Sequence, residues 1–69
     1  MIQVTRLDGS GVIINAQMIE SIEEKPDTII TMYTERKYIV KERAAEVVSR
    51  VIAYNRKIFA EKTRINSDE

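Results

Sequence analysis

The stretch from Ile19 to Lys41, IESIEEKPDTIITMYTERKYIVK, constrains this chain more than any other. Two β-rich runs, TIITMY and KYIVK, flank the short polar segment Thr34-Glu35-Arg36, which is the pattern of a β-hairpin. A third run, IESIEE, meets the first across Lys25-Pro26-Asp27. Proline presets φ for a tight turn, and aspartate offers a side-chain acceptor to the turn amides. Pro26, Asp27 and Thr28 therefore mark a turn leading into a strand, and the three runs predict consecutive antiparallel strands in a meander.

Upstream, Met1 to Leu7 alternates, with Ile2 and Val4 on one face and Gln3 and Thr5 on the other, as a half-buried strand does. Asp8-Gly9-Ser10-Gly11 holds both glycines of the chain and predicts a hairpin loop returning through Val12-Ile13-Ile14. A phosphate cradle is the poorer reading, because no Gly-Lys-Ser/Thr follows. Asn15 can cap one helical turn. Ile19 and Ile22 are three apart, so a strand there needs a bulge or a late start; a short helix through Glu23 is the competing reading. In TIITMY, Ile29 and Tyr33 share one face and Ile30 and Met32 the other, so this strand is expected to be central and covered on both sides.

From Glu42 the period changes to 3.6. Ala44, Val47, Val48, Val51, Ile52, Tyr54, Ile58 and Phe59 fall on one side of a helical wheel, the stripe of an amphipathic helix lying on a core. Glu46 and Arg50 form a well-oriented i, i+4 pair. No Ser, Thr, Asp or Asn occupies the expected N-cap, which costs on the order of 1 kcal/mol. Asn55 lies within the stripe and must find a partner or mark where the stripe leaves the sheet. After Phe59 the pattern is lost, so residues 1–60 are read as one domain and 61–69 as a polar, frayed tail. The fold class predicted is α+β: a small antiparallel meander of four to five strands followed by one C-terminal amphipathic helix.

Composition limits the chemistry. With 69 residues, no histidine and no cysteine, the chain has neither a thiol nucleophile nor an imidazole base, and no residues suited to structural zinc. No cofactor is implied. Glu20, Glu23, Glu24 and Asp27 form an acidic cluster, read as a solvated edge that discourages strand-to-strand aggregation. Lys plus Arg and Asp plus Glu are both 11. Residues 1–40 carry four basic and six acidic side chains and residues 41–69 seven and five, a shift from −2 to +2 that suits a solvated helix face better than a nucleic-acid stripe. No apolar run approaches the roughly 20 residues that span a bilayer, and the N-terminal residues lack the layout of a signal peptide, so a cytoplasmic location is expected.

Several of these residues together resemble a known family. MIQVTRLDG, Asn15 with Ile19-Glu20 and Ile22-Glu23, PDTIITM, and Tyr38 to Glu42 with Glu46-Val47 are similar to the FlbD/SwrD family of small flagellar proteins over about residues 1 to 60. The most specific piece is Pro26-Asp27-Thr28 followed by Ile-Thr. The resemblance implies a cytoplasmic, non-enzymatic protein that supports flagellar and swarming motility by helping the motor develop torque through its stators. It supplies no catalytic residue. The chain departs from the family pattern at Thr34-Glu35-Arg36, where an Asn-Gly-like turn is usual, and at Arg43, where a small polar residue often opens the helix. The second functional reading is a small RNA- or DNA-binding regulator of flagellar expression, against which the zero net charge weighs.

Assembly is the last expectation. A helix of about 18 residues is roughly 27 Å long and covers one face of a small sheet. The second apolar face then calls for a small barrel or for a partner subunit. Without disulfide or metal, a homo-oligomer is the favoured solution, with Ile30, Met32 and Tyr38 as interface positions.

Overall fold

The computed structural model describes the backbone of residues 1–67 and the side chains of residues 1–60. Five strands and one long helix follow in the expected order. Strands β1 (Ile2–Thr5) and β2 (Gly11–Ile14) pair antiparallel in a two-stranded sheet, with Val4 opposite Val12. Strands β3 (Ile19–Glu24), β4 (Thr28–Met32) and β5 (Lys37–Val40) form the predicted meander, in the order β3-β4-β5. The sheets are tied where β1 leaves its hairpin: Arg6 bridges to Val40, and Lys41 N–H donates to the Thr5 carbonyl at 2.8 Å.

The turns follow from local chemistry. Gly9 has φ 93°, a left-handed conformation that glycine adopts without a Cβ penalty. The Asp8 carboxylate accepts from Ser10 N–H at 2.9 Å and from its hydroxyl at 2.6 Å. Those two bonds hold the Asp8 carboxyl below its usual pKa. Asn15 caps a single 3-10 turn, Ala16–Met18, by accepting Gln17 N–H at 3.0 Å, as its position in the sequence predicts. The register shift between Ile19 and Ser21 is a β-bulge of the kind the three-residue spacing requires, and it lets both Ile19 and Ile22 pack against the core.

One turn differs from expectation and the other agrees with it. The Asp27 carboxylate accepts no turn amide among the described residues; Lys25 N–H donates to the Asp27 backbone carbonyl at 3.1 Å instead. Between β4 and β5 the loop is wider than a two-residue hairpin, as the sequence implies, and it places Glu35 at φ 72°.

The core consists of Ile2, Val4, Ile14, Ala16, Ile30, Met32, Val40 and Val47. It gathers residues from both sheets and from helix α1 (Ala44–Ser67), which lies against β1 and β3. This corrects the expectation that β4 is covered on both faces. Thr28, Ile30 and Met32 are buried, whereas Ile29 and Thr31 are half-buried and Tyr33 is exposed. The reason is that the strands divide into two sheets: β1 and β2 supply Ile2, Val4 and Ile14 to the same cluster as Ile30 and Met32, so the chain itself covers the face assigned to a partner subunit.

Helix α1 has 24 residues, about 36 Å, rather than about 18. The stretch expected to fray is helical through Ser67, since Ala60, Glu61, Lys62 and Arg64 favour helix and no glycine or proline interrupts them. Residues 68 and 69 lie outside the described residues. Asn55 is exposed, so its amide is left to solvent.

Candidate functional site

The densest polar cluster lies where β1 meets the start of α1. Glu42 immediately follows β5 and Lys41, which the Lys41–Thr5 backbone bond fixes beside β1. Its carboxylate accepts Thr5 N–H through Oε1 and the Thr5 hydroxyl through Oε2, both at 2.9 Å. Arg50, two turns along the helix, donates to Glu42 Oε2 at 3.2 Å and to the Gln3 carbonyl at 2.6 Å with one nitrogen, and to Glu46 at 3.2 Å with another. The predicted Glu46–Arg50 pair is thus one arm of a larger clasp. In it a carboxylate and a guanidinium occupy backbone positions on the β1 edge that a neighbouring strand would otherwise satisfy.

Burial pushes the Glu42 carboxyl up, but the bonds from Thr5, the backbone amide of Glu42 itself and the Arg50 charge together outweigh it and hold the pKa below 4.5. With its side chain only 11% exposed, Glu42 is a fixed anion. Its oxygens are engaged by Thr5 and Arg50, so it is placed to brace the β1–α1 junction and not to exchange protons near neutrality. Beside the clasp runs an open groove of about 610 Å³, whose lining includes Gln3, Thr5, Glu42, Arg50, Tyr54 and Lys57.

The acidic cluster is not only a solvated edge. Glu24, at the end of β3, directs Oε1 to Ala44 N–H at 2.7 Å, and the Thr28 hydroxyl donates to the same oxygen at 3.5 Å. The missing local N-cap is therefore supplied from another strand. Neither Glu24 nor Glu42 has a sequence signal for its role beyond being a carboxylate close to a strand end, because both bonds are made far along the chain.

Of the three expected interface residues, Ile30 and Met32 point into the core, 0% and 7% exposed. Neither is available to a partner in this fold. Tyr38 is half-buried, opposite Ile30 across the β4–β5 ladder, with the Arg6 guanidinium 5.9 Å from its ring centroid. Pro26 and Asp27 are exposed at the β3–β4 turn, and Thr28 is buried beside Glu24. Next to Tyr38, the exposed side chains of Leu7 and Ile39 share a shallow groove of about 400 Å³ with Arg6, Asp8 and Lys37. Among the described residues, no group of three or more His, Cys, Asp or Glu is arranged to hold a metal ion.

The fold and its junction thus define a small α+β domain of two antiparallel sheets and one helix, closed by carboxylates that act at long range. The family model described as "FlbD: Flagellar and Swarming motility proteins" matches residues 1–59, and the chain belongs to the FlbD family. That membership makes it a flagellar and swarming motility protein. No curated protein and no solved structure matches it.

Proposed function

We propose that this chain acts in the cytoplasm as a non-enzymatic accessory of flagellar and swarming motility, binding a component of the motor and supporting the torque developed through its stators. The observation that carries this reading is the Leu7–Ile39 groove. Leu7 is 49% and Ile39 46% exposed where the turn after β1 meets β5, beside the Arg6–Tyr38 contact and with Arg6, Asp8 and Lys37 around them. An apolar centre with a charged rim is how a protein-contact surface is built. The composition agrees, since the chain carries no His or Cys, and among the described residues the two carboxyls with lowered pKa, Asp8 and Glu42, are bonded within the fold. No described helix is long and apolar enough to cross a membrane, which suits a protein that reaches the motor from solution.

The test is deletion of the gene in its host, with complementation by the unaltered chain and by Ile39→Glu. Swarming and swimming force should fall on deletion with filaments still assembled. The unaltered chain should restore them and Ile39→Glu should not. Full motility of the deletion strain in viscous medium would refute the proposal.

A further inference from the structure

Two grooves adjoin at Tyr38. On one side lies the Leu7–Ile39 groove; on the other, a groove of about 390 Å³ has Met18 and Arg36 in its lining, and Tyr38 lines both. Leu7, Ile39 and Met18 all present apolar surface to solvent. The charged residues of the two linings are Arg6, Arg36 and Lys37 against Asp8 alone. A chain of no net charge thus sets a cationic margin around these apolar side chains.

Those cations are unpaired. The salt bridges among the described residues are the two that Arg50 makes with Glu42 and Glu46, and none involves Arg6, Arg36 or Lys37, all three of which are exposed. Arg6 lies over the Tyr38 ring instead. The one anion of the groove is engaged on its own loop, where the Asp8 carboxylate accepts from the N–H and the hydroxyl of Ser10.

We propose that this surface takes an acidic segment of a partner protein, with a large apolar side chain seated between Leu7 and Ile39 and flanking carboxylates paired with Arg6, Arg36 and Lys37. The proposal rests on the reading of the groove as a protein-contact surface and adds the chemistry of the partner. Charge complementarity selects that chemistry: carboxylates meet three unpaired cations, two of them guanidinium forks that bind a carboxylate through two parallel bonds. The apolar anchor excludes water beside those pairs. An anionic lipid surface offers the same sign of charge but fits less well. Asp8, exposed and kept ionised first by its bonds from Ser10, would be pressed against headgroups of its own sign, whereas a peptide can direct its carboxylates past it.

Selection from a random peptide library displayed on phage, with the full chain as bait, tests this. Enriched peptides should carry Asp and Glu around a large apolar residue and, once synthesised, should shift the amide resonances of Leu7, Lys37 and Ile39 in the isotope-labelled protein. Lys37→Glu should weaken them roughly three- to tenfold, and Ile39→Glu roughly tenfold or more. Ile13→Glu, at a residue 67% exposed on β2, should leave binding unaltered. Should Ile39→Glu fail to fold, Lys37→Glu still decides, because its side chain is exposed. Enrichment of basic or uncharged sequences overturns the proposal, as does a library that yields no peptide for the groove, or peptides indifferent to both groove substitutions. Sedimentation with phosphatidylglycerol vesicles that Lys37→Glu abolishes would also overturn it, by assigning the surface to a lipid headgroup. The motility reading fails separately, by full motility of a deletion strain, and it survives a groove that selects peptides other than acidic ones.

Discussion

Glu24 caps a helix that begins twenty residues after it: its Oε1 accepts Ala44 N–H at 2.7 Å. The bond places a negative charge at the positive end of the helix dipole and satisfies one of the first-turn amides that no local side chain reaches. It also ties the end of β3 to the start of α1, so strand pairing and helix initiation are coupled.

Glu24→Ala should accordingly destabilise the fold by about 1 kcal/mol, the range of a lost N-cap. Urea unfolding followed by circular dichroism measures it. Glu23→Ala, one residue away on the same strand and exposed, should change stability by less than about 0.5 kcal/mol.

The Glu42 clasp predicts an acid-sensitive contribution. Because the folded pKa lies below 4.5, the native state binds fewer protons than the unfolded chain as pH falls. The contribution is whole above pH 4.5 and is lost as pH drops through the lower folded value. Glu42→Gln should cost about 1 to 3 kcal/mol at pH 7. The gap between variant and parent should narrow as the pH falls below the ordinary carboxylate range, which a pH series of urea midpoints would show.

The loop between β4 and β5 carries removable strain. Glu35 sits at φ 72°, where an L side chain crowds the backbone. Glu35→Gly should stabilise the protein by about 0.5 to 1 kcal/mol, the relief at the left-handed position exceeding the entropy glycine adds to the unfolded chain. A thermal melt showing a higher midpoint checks it.

Orientation of β4 is tested by truncation. Ile30, 0% exposed, should lose about 2 to 5 kcal/mol as Ile30→Ala, a large share of what a domain this size has. Ile39→Ala, on the outer face and 46% exposed, should lose less than about 1.5 kcal/mol. Equal losses at the two sites would contradict the inward face assigned to Ile30.

These sites divide along what a sequence can carry. Short-range features were legible: the alternation in β1, the glycine turn at Gly9, the Asn15 cap, the bulge forced by Ile19 and Ile22, and the Glu46–Arg50 pair are all set by neighbours within a few residues. The clasp was not, because Thr5 and Glu42 are 37 positions apart and Gln3 and Arg50 are 47. No local pattern marks Arg50 as the residue that reaches across to β1. Separation into two sheets is equally non-local, and missing it turned the inward face of β4 into an expected interface at Ile30 and Met32. The Leu7–Ile39 groove was unread for the same reason, since it forms only where the first hairpin meets β5.

We propose that this chain, a member of the FlbD family, supports motor torque through a protein contact at the Leu7–Ile39 groove. Bead-rotation torque of single motors in a deletion strain, complemented by the unaltered chain or by Ile39→Glu, measures it most directly. Intact filaments, lowered torque on deletion, recovery with the unaltered chain and none with a stably folded Ile39→Glu are expected. Undiminished torque in the deletion strain would contradict it.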